Sequence, residues 1–284
     1  MSRQAELCAV GLALVAAGGC GDGTDWRIAP CPDETDETCG VGSLVVGERE
    51  RTYVVSRRNG YDCSAGDLPL ILAWHGSGGN GASFRANMND DFEDLDFEAT
   101  VAGRALVVYP DGIEHGDCRG RTCWDREPDG YDTAFFDALV AQLADDYCVD
   151  TSRVFSVGHS RGGRFVEVLA CHRSDSHVAV ASISAGDGNV EACPGNVPIW
   201  LTHAHDDATI GFDQGENHRD AWAERNGCDA IADPATFPDD ACTTLSGCGD
   251  TPVVWCPTNE PEWDGHAIPE IADEEIWAFF SSLP

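Results

Sequence analysis

The sequence predicts an open α/β sheet of mostly parallel strands, and three observations predict it. Short, nearly unbroken apolar runs recur along the chain, helical stretches with one apolar face lie between them, and a strand–turn–helix segment built on Gly-x-Ser-x-Gly stands mid-chain. The runs are Leu68–Trp74, Ala105–Tyr109, Val154–Val157, Val178–Ile183, Ile199–His203 and Val253–Trp255. A strand covered on both faces has no reason to alternate polar with apolar residues, so these runs read as central parallel strands.

Taken in order, residues 1–19 read as an export signal. Arg3 opens them, Cys8 to Ala17 is apolar, and small residues follow. The apolar stretch is about ten residues, against roughly twenty for a membrane span. Ala17-Gly18-Gly19-Cys20 resembles a bacterial lipobox, with Ala17 where Leu is usual, so Cys20 is a candidate lipidated residue and the one expected route to membrane attachment. The alternative is an ordinary signal cut nearby. Residues 20–42 are acidic and aperiodic and read as a tether, with Cys31 and Cys39 closing a small loop.

From Ser43 to residue 284 no boundary divides the chain, which reads as one catalytic domain. Arg51–Ser56 is β-rich and is expected to pair antiparallel at the sheet margin. Asp132 is placed to cap a helix whose Phe135, Phe136, Leu139, Val140 and Leu143 share one face. A further helix follows Gly162, and the last covers Glu274 to Phe280.

Composition excludes several function classes. All 17 basic residues are Arg, 50 residues are acidic, and the net charge is −33, which would repel nucleic acid and anionic membranes. Apolar content of 42%, with eight Trp and eleven Phe, excludes a disordered chain. The 14 Cys never fall in C-x-x-C spacing and fit disulfide-stapled loops of an exported protein. Without Cys8 and Cys20, twelve remain, enough for six bridges. The shortest spacings are Cys118/Cys123, Cys242/Cys248, Cys31/Cys39 and Cys248/Cys256, and Cys228 to Cys256 reads as a stapled loop near His266.

The chemistry centres on Gly158-His159-Ser160-Arg161-Gly162. A serine between a strand and a helix, on a turn whose glycines permit close packing, is a nucleophile in the setting that exposes it. Its oxyanion needs two N–H donors. Those expected are the main-chain groups of Arg161 and of Ser77 in His75-Gly76-Ser77-Gly78-Gly79, with Gly78 as substitute for Ser77. His266, on a loop before the last helix, stands where a base belongs, while His172, His177 and His218 look like surface residues. After the strand ending at His203, either Asp206 or Asp207 is available as acid. His203, His205 and these acids also form most of an H-x-H-x-D-H zinc motif, but Ala208 stands where its last His is needed, so no metal and no cofactor is expected; the alternative for His203 is a strand-end residue hydrogen-bonded under the active site.

With these segments in place, the chain resembles the bacterial feruloyl esterase and polyhydroxybutyrate depolymerase-like α/β-hydrolases over about Ser43 to Leu283. The resemblance rests on Trp74–Gly79, Val108–Gly112, Tyr131–Asp137, Tyr147–Asp150, Trp222–Cys228 and Asp264–His266. The family pattern H-G-T-x-D-x-x-V lies on His203–Ile210, which implies Asp207 as the acid; Ala204 and His205 depart from it. Arg161 is also unlike the usual uncharged residue, and is expected to alter what the entrance admits. The resemblance implies a secreted serine esterase acting on hydroxycinnamoyl esters of plant cell-wall polysaccharide. A polyhydroxyalkanoate depolymerase is the alternative, and a non-catalytic carbohydrate-binding lipoprotein a remote one. Trp74 and Trp124, with Trp255 and Trp263, fall beside the motif loops and are candidates to stack on a phenolic acyl group.

Overall fold

Residues 29–30, 39–56, 66–89, 95–186, 193–233, 237–259 and 262–284 are described in a computed structural model. The expected export signal, Cys20, Cys31 and the side chain of Trp263 lie outside them. The chain enters with β1 (Ala29–Pro30), β2 (Cys39–Val46) and β3 (Arg49–Ser56), which pair antiparallel in succession. β2 starts inside the stretch read as tether, so the folded part begins before Ser43. Its partner β3 then lies antiparallel against β5 (Leu106–Pro110).

The parallel core is β5, β4 (Leu68–Trp74), β8 (Val149–His159), β9 (Ala179–Ile183), β10 (Ile199–Ala204) and β12 (Val253–Thr258), side by side in that order. A short β11 (Thr243–Thr244) closes the far edge antiparallel to β12, and β6 (Ile113–His115) with β7 (Arg121–Cys123) forms a separate hairpin. Strand pleating divides β4 between two cores. Leu70, Leu72 and Trp74 face α3 (Tyr131–Asp146), α4 (Arg161–His172) and α5 (Phe212–Arg225). Ile71 and Ala73 face α1 (Gly81–Met88), α2 (Phe97–Val101) and α6 (Ala272–Ser282). The result is an α/β-hydrolase fold with helices on both faces of a mostly parallel sheet. Among the described residues no helix is long and apolar enough to cross a membrane.

Several local expectations change. β8 begins at Val149 rather than Val154, because the polar stretch Asp150–Arg153 is carried through an irregularity opposite Leu68–Leu70. Asp132 is not the cap of α3. Gly130 holds that position, and Asp132 is buried in the first turn, where its carboxylate accepts the Asp125 N–H at 2.6 Å and pairs with buried Arg51 at 2.7 Å. The N–H of Asp132 goes in return to the Asp125 carboxylate at 3.1 Å, so the helix start is capped from outside.

All ten cysteines among the described residues are disulfide-bonded. Cys118–Cys123 pairs at its short spacing, but the later bridges are Cys228–Cys248 and Cys242–Cys256, not the adjacent pairs that spacing favours, and Cys171 joins Cys193. The two later bridges interleave because β12 returns beside β10 and carries Cys256 away from Cys248 into the sheet.

Candidate active site

The C-terminal ends of β4, β8, β10 and β12 converge, and each delivers one part of the site. At the end of β8 the chain turns sharply into α4 through Ser160, whose φ of 55° and ψ of −117° are strained for a residue with a side chain. The turn is possible because both flanking glycines sit against backbone: a Cβ at Gly158 would overlap the Gly162 carbonyl, and one at Gly162 would overlap that of Trp74. The Ser160 N–H is held by the carbonyl of Ile183 on β9 at 2.8 Å. The hydroxyl is left at the head of a twelve-residue helix.

His266 stands over it. The Ser160 Oγ–H donates to His266 Nε2 at 2.9 Å, and His266 Nδ1–H donates to Asp207 Oδ2 at 2.7 Å. An imidazole so held can take the hydroxyl proton while the carboxylate fixes its tautomer. Asp206 is exposed, whereas Asp207 is buried. Gly265 allows this approach: its φ is +78°, and a Cβ there would overlap the Asp206–Asp207 peptide.

Four donors converge on Asp207. Oδ1 accepts the N–H groups of Thr209 and Ile210, both at 2.8 Å. Oδ2 accepts His266 and lies 3.3 Å from Nε2 of buried His203, which also donates to the Ile210 carbonyl at 2.8 Å. Burial raises the Asp207 carboxyl, but hydrogen bonds from His203, His266 and the Ile210 amide outweigh it and hold the pKa to about 2. His159 supports His266 from below, donating Nε2–H to its carbonyl at 3.0 Å. Burial and the neighbouring His266 bring the His159 pKa down to about 3, so its ring stays neutral.

Opposite His266, the loop after β4 lines a cleft of about 550 Å³ with His75, Gly76, Ser77, Gly78 and Gly79. Ser160, His266, His159, Ser83, Phe84, Asn87, Thr209 and Arg121 complete its walls. The N–H groups of Ser77 and Arg161 have no intramolecular acceptor among the described residues. Gly78 cannot substitute for Ser77, because its N–H is committed to the Thr122 carbonyl at 2.7 Å.

No family model matches the chain. It is 31% identical to feruloyl esterase C of Emericella nidulans over 88% of its own length and 89% of the relative's. To feruloyl esterase D of Neurospora crassa it is 30% identical over 62% and 61%. The chain belongs to the feruloyl esterase family. It is a carboxylic ester hydrolase of the serine-esterase kind, and the relatives named are fungal. Solved structures of this fold include an acetyl xylan esterase from Aspergillus awamori, at a TM-score of 0.65 and 14% identity over 85% of this chain and 98% of that one. A ferulic acid esterase superposes at 0.57 and 14% identity over 86% and 97%.

Three sequence expectations for this feruloyl esterase relative fail. Trp74 and Trp124 do not line the cleft; both are fully buried, with ring centres 4.9 Å apart edge to face and Phe165 against each. Trp255 is buried as well. Second, the Arg161 side chain does not reach the entrance. It is buried and donates Nε–H to the Trp124 carbonyl at 2.8 Å. Third, His177 and His218 are not surface residues. His177 is stacked on Phe136 and bonded to Ser156 Oγ at 3.0 Å, while His218 meets buried Glu167 at 3.2 Å.

His203 and His205 part company at the end of β10. His203 turns under Asp207, while His205 reaches Asp239 on the surface at 2.8 Å. Among the described residues no cluster of three or more His, Cys, Asp or Glu is arranged to hold a metal ion. The alternative for His203, a strand-end residue hydrogen-bonded under the active site, is the one the structure shows. Sequence reasoning missed the support given by His159 and Thr122. Position next to the nucleophile signals His159; nothing local signals Thr122.

Proposed function

We propose that the chain is an exported feruloyl esterase that hydrolyses hydroxycinnamoyl esters of plant polysaccharide through Ser160, His266 and Asp207. The observation that carries the proposal is the unbroken hydrogen-bonded order from Ser160 Oγ through both nitrogens of His266 to Asp207, at 2.9 and 2.7 Å. His266 takes the proton as Ser160 attacks the ester carbonyl, and the N–H groups of Ser77 and Arg161 receive the oxyanion. Collapse expels the alcohol, protonated by His266, and leaves an acyl-enzyme. Water activated by the same imidazole then releases the acid and frees Ser160. Asp207 stabilises the imidazolium in both steps.

The relatives' names support a feruloyl ester, and a cleft of about 550 Å³ suits a small planar acyl group. Ten disulfide-bonded cysteines support export to an oxidising compartment. Residues 1–19 serve as its signal, with Cys20 as the attachment point if the protein is lipid-anchored. The test compares initial rates on methyl ferulate and on a hydroxybutyrate trimer, with Ser160→Ala as blank. Faster turnover of methyl ferulate is expected. Equal or faster turnover of the trimer would transfer the assignment to polyester depolymerisation.

A further inference from the structure

The loop from His75 to Gly79 carries three glycines in five residues, so little in its own chemistry holds one N–H toward the substrate. Within itself it makes two bonds: Gly79 N–H to the Gly76 carbonyl at 3.1 Å, and His75 Nδ1–H to the same carbonyl at 2.7 Å. Among the described residues its other hydrogen bonds come from one segment, residues 112–124, which contains the β6–β7 hairpin. Thr122 grips the loop twice, its carbonyl accepting Gly78 N–H and its Oγ1–H donating to the Gly79 carbonyl, both at 2.7 Å. Gly112 N–H donates to His75 Nε2 at 2.9 Å, and Trp124 Nε1–H donates to the His75 carbonyl at 2.8 Å. The Trp124 carbonyl meanwhile receives Arg161 Nε–H, so the segment also reaches the carrier of the second free N–H. The buried Cys118–Cys123 disulfide closes the hairpin, with Cys118 Sγ 3.9 Å from Ser77 Oγ.

We infer that this disulfide-closed segment is the positioning element of the oxyanion site, with Thr122 as the residue that sets the Ser77 N–H. The inference rests on the reading that Ser77 and Arg161 receive the oxyanion. Gly78 and Gly79 are bonded immediately after Ser77, and His75 two residues before it, so the Ser77 N–H is bracketed on both sides. Slack in the bracket weakens binding of a tetrahedral, negatively charged species far more than binding of the planar ester, because only the former brings its charge to that N–H. A hairpin serving merely as a cover would influence folding, or both states alike.

Thr122→Val keeps the shape and removes the hydroxyl donor, while Thr122→Ser keeps the donor. On 4-nitrophenyl acetate, chosen so that acyl preference does not enter, Thr122→Val should lower kcat ~10-fold with KM within about twofold. The inhibition constant of phenylboronic acid, which forms a tetrahedral adduct with the serine, should weaken by the same factor. Thr122→Ser should restore both, and Cys118→Ala/Cys123→Ala should repeat the Val pattern. Wild-type kcat and boronate affinity in Thr122→Val would overturn the inference. So would a parallel loss of kcat, KM and thermal stability that Ser does not rescue. A wild-type protein that neither turns over the ester nor binds the boronate would instead sink the underlying catalytic reading, a result distinct from either.

Discussion

On one side of Ser160 the site is positioned by side chains, and on the other by main chain. His266, Asp207, His203 and His159 form the first side, linked by bonds in which imidazoles and a carboxylate take part. The second side is the His75–Gly79 loop, whose useful groups are peptide N–H donors and whose restraints come from a hairpin more than thirty residues away. A side-chain network concentrates its function in single residues and responds to pH. A backbone network spreads the same task over several neutral bonds, so that one lost hydroxyl costs less than one lost member of the side-chain network and charge matters hardly at all.

The largest expected break is therefore on the side-chain half. Asp207→Asn should lower kcat by ~10³- to 10⁴-fold, through loss of the tautomer and of the charge opposite His266, with the fold retained. Asp206→Asn, on an exposed neighbour, should change kcat less than about threefold. Steady-state kinetics on methyl ferulate reads both. A crippled Asp206→Asn with a mild Asp207→Asn would mean that the working loop is shifted by one residue from the geometry described. The corresponding loss on the backbone half is the tenfold one expected for Thr122→Val.

A smaller effect is that of pH on stability. The Asp207 carboxyl, lowered to about 2, contributes stability that is present above its ordinary value near 3.8 and lost as the pH falls toward 2. Two buried imidazoles act earlier. His159 is lowered to about 3 and His177 to about 4, both chiefly by burial, from an ordinary 6.5. Below pH 6.5 the unfolded chain takes up protons that the folded chain refuses, so stability is full above 6.5 and falls as the pH drops toward 4. For His177 alone the loss is about 3 kcal/mol. His177→Gln should have a Tm that declines less steeply between pH 6.5 and 4 than the wild type's. An unchanged slope would show that His177 does not set that decline.

The same contrast explains what could be read from the chain. β4 is legible residue for residue because Leu68–Trp74 is covered on both faces, and the apolar pattern follows directly from that burial. Ser160, His266 and the Asp206–Asp207 pair are visible as letters at strand ends. Thr122 is not, because a donor to a distant carbonyl has no local pattern. Trp74 and Trp124 mislead for a related reason: a tryptophan beside a motif loop can face the cleft or lie beneath it, and Trp124 lies beneath, with its indole N–H used on the His75 carbonyl. The crossed pairs Cys228–Cys248 and Cys242–Cys256 are equally invisible, since spacing does not encode which strands become neighbours.

The most direct measurement of the central claim is active-site labelling with a fluorophosphonate, followed by peptide mass mapping. If Ser160 is the nucleophile activated by His266, a single adduct forms on the peptide containing Ser160. It should disappear in Ser160→Ala and form at least ~10³-fold more slowly in His266→Ala, with both variants folded. An adduct on another serine, or labelling at the wild-type rate in His266→Ala, would contradict it.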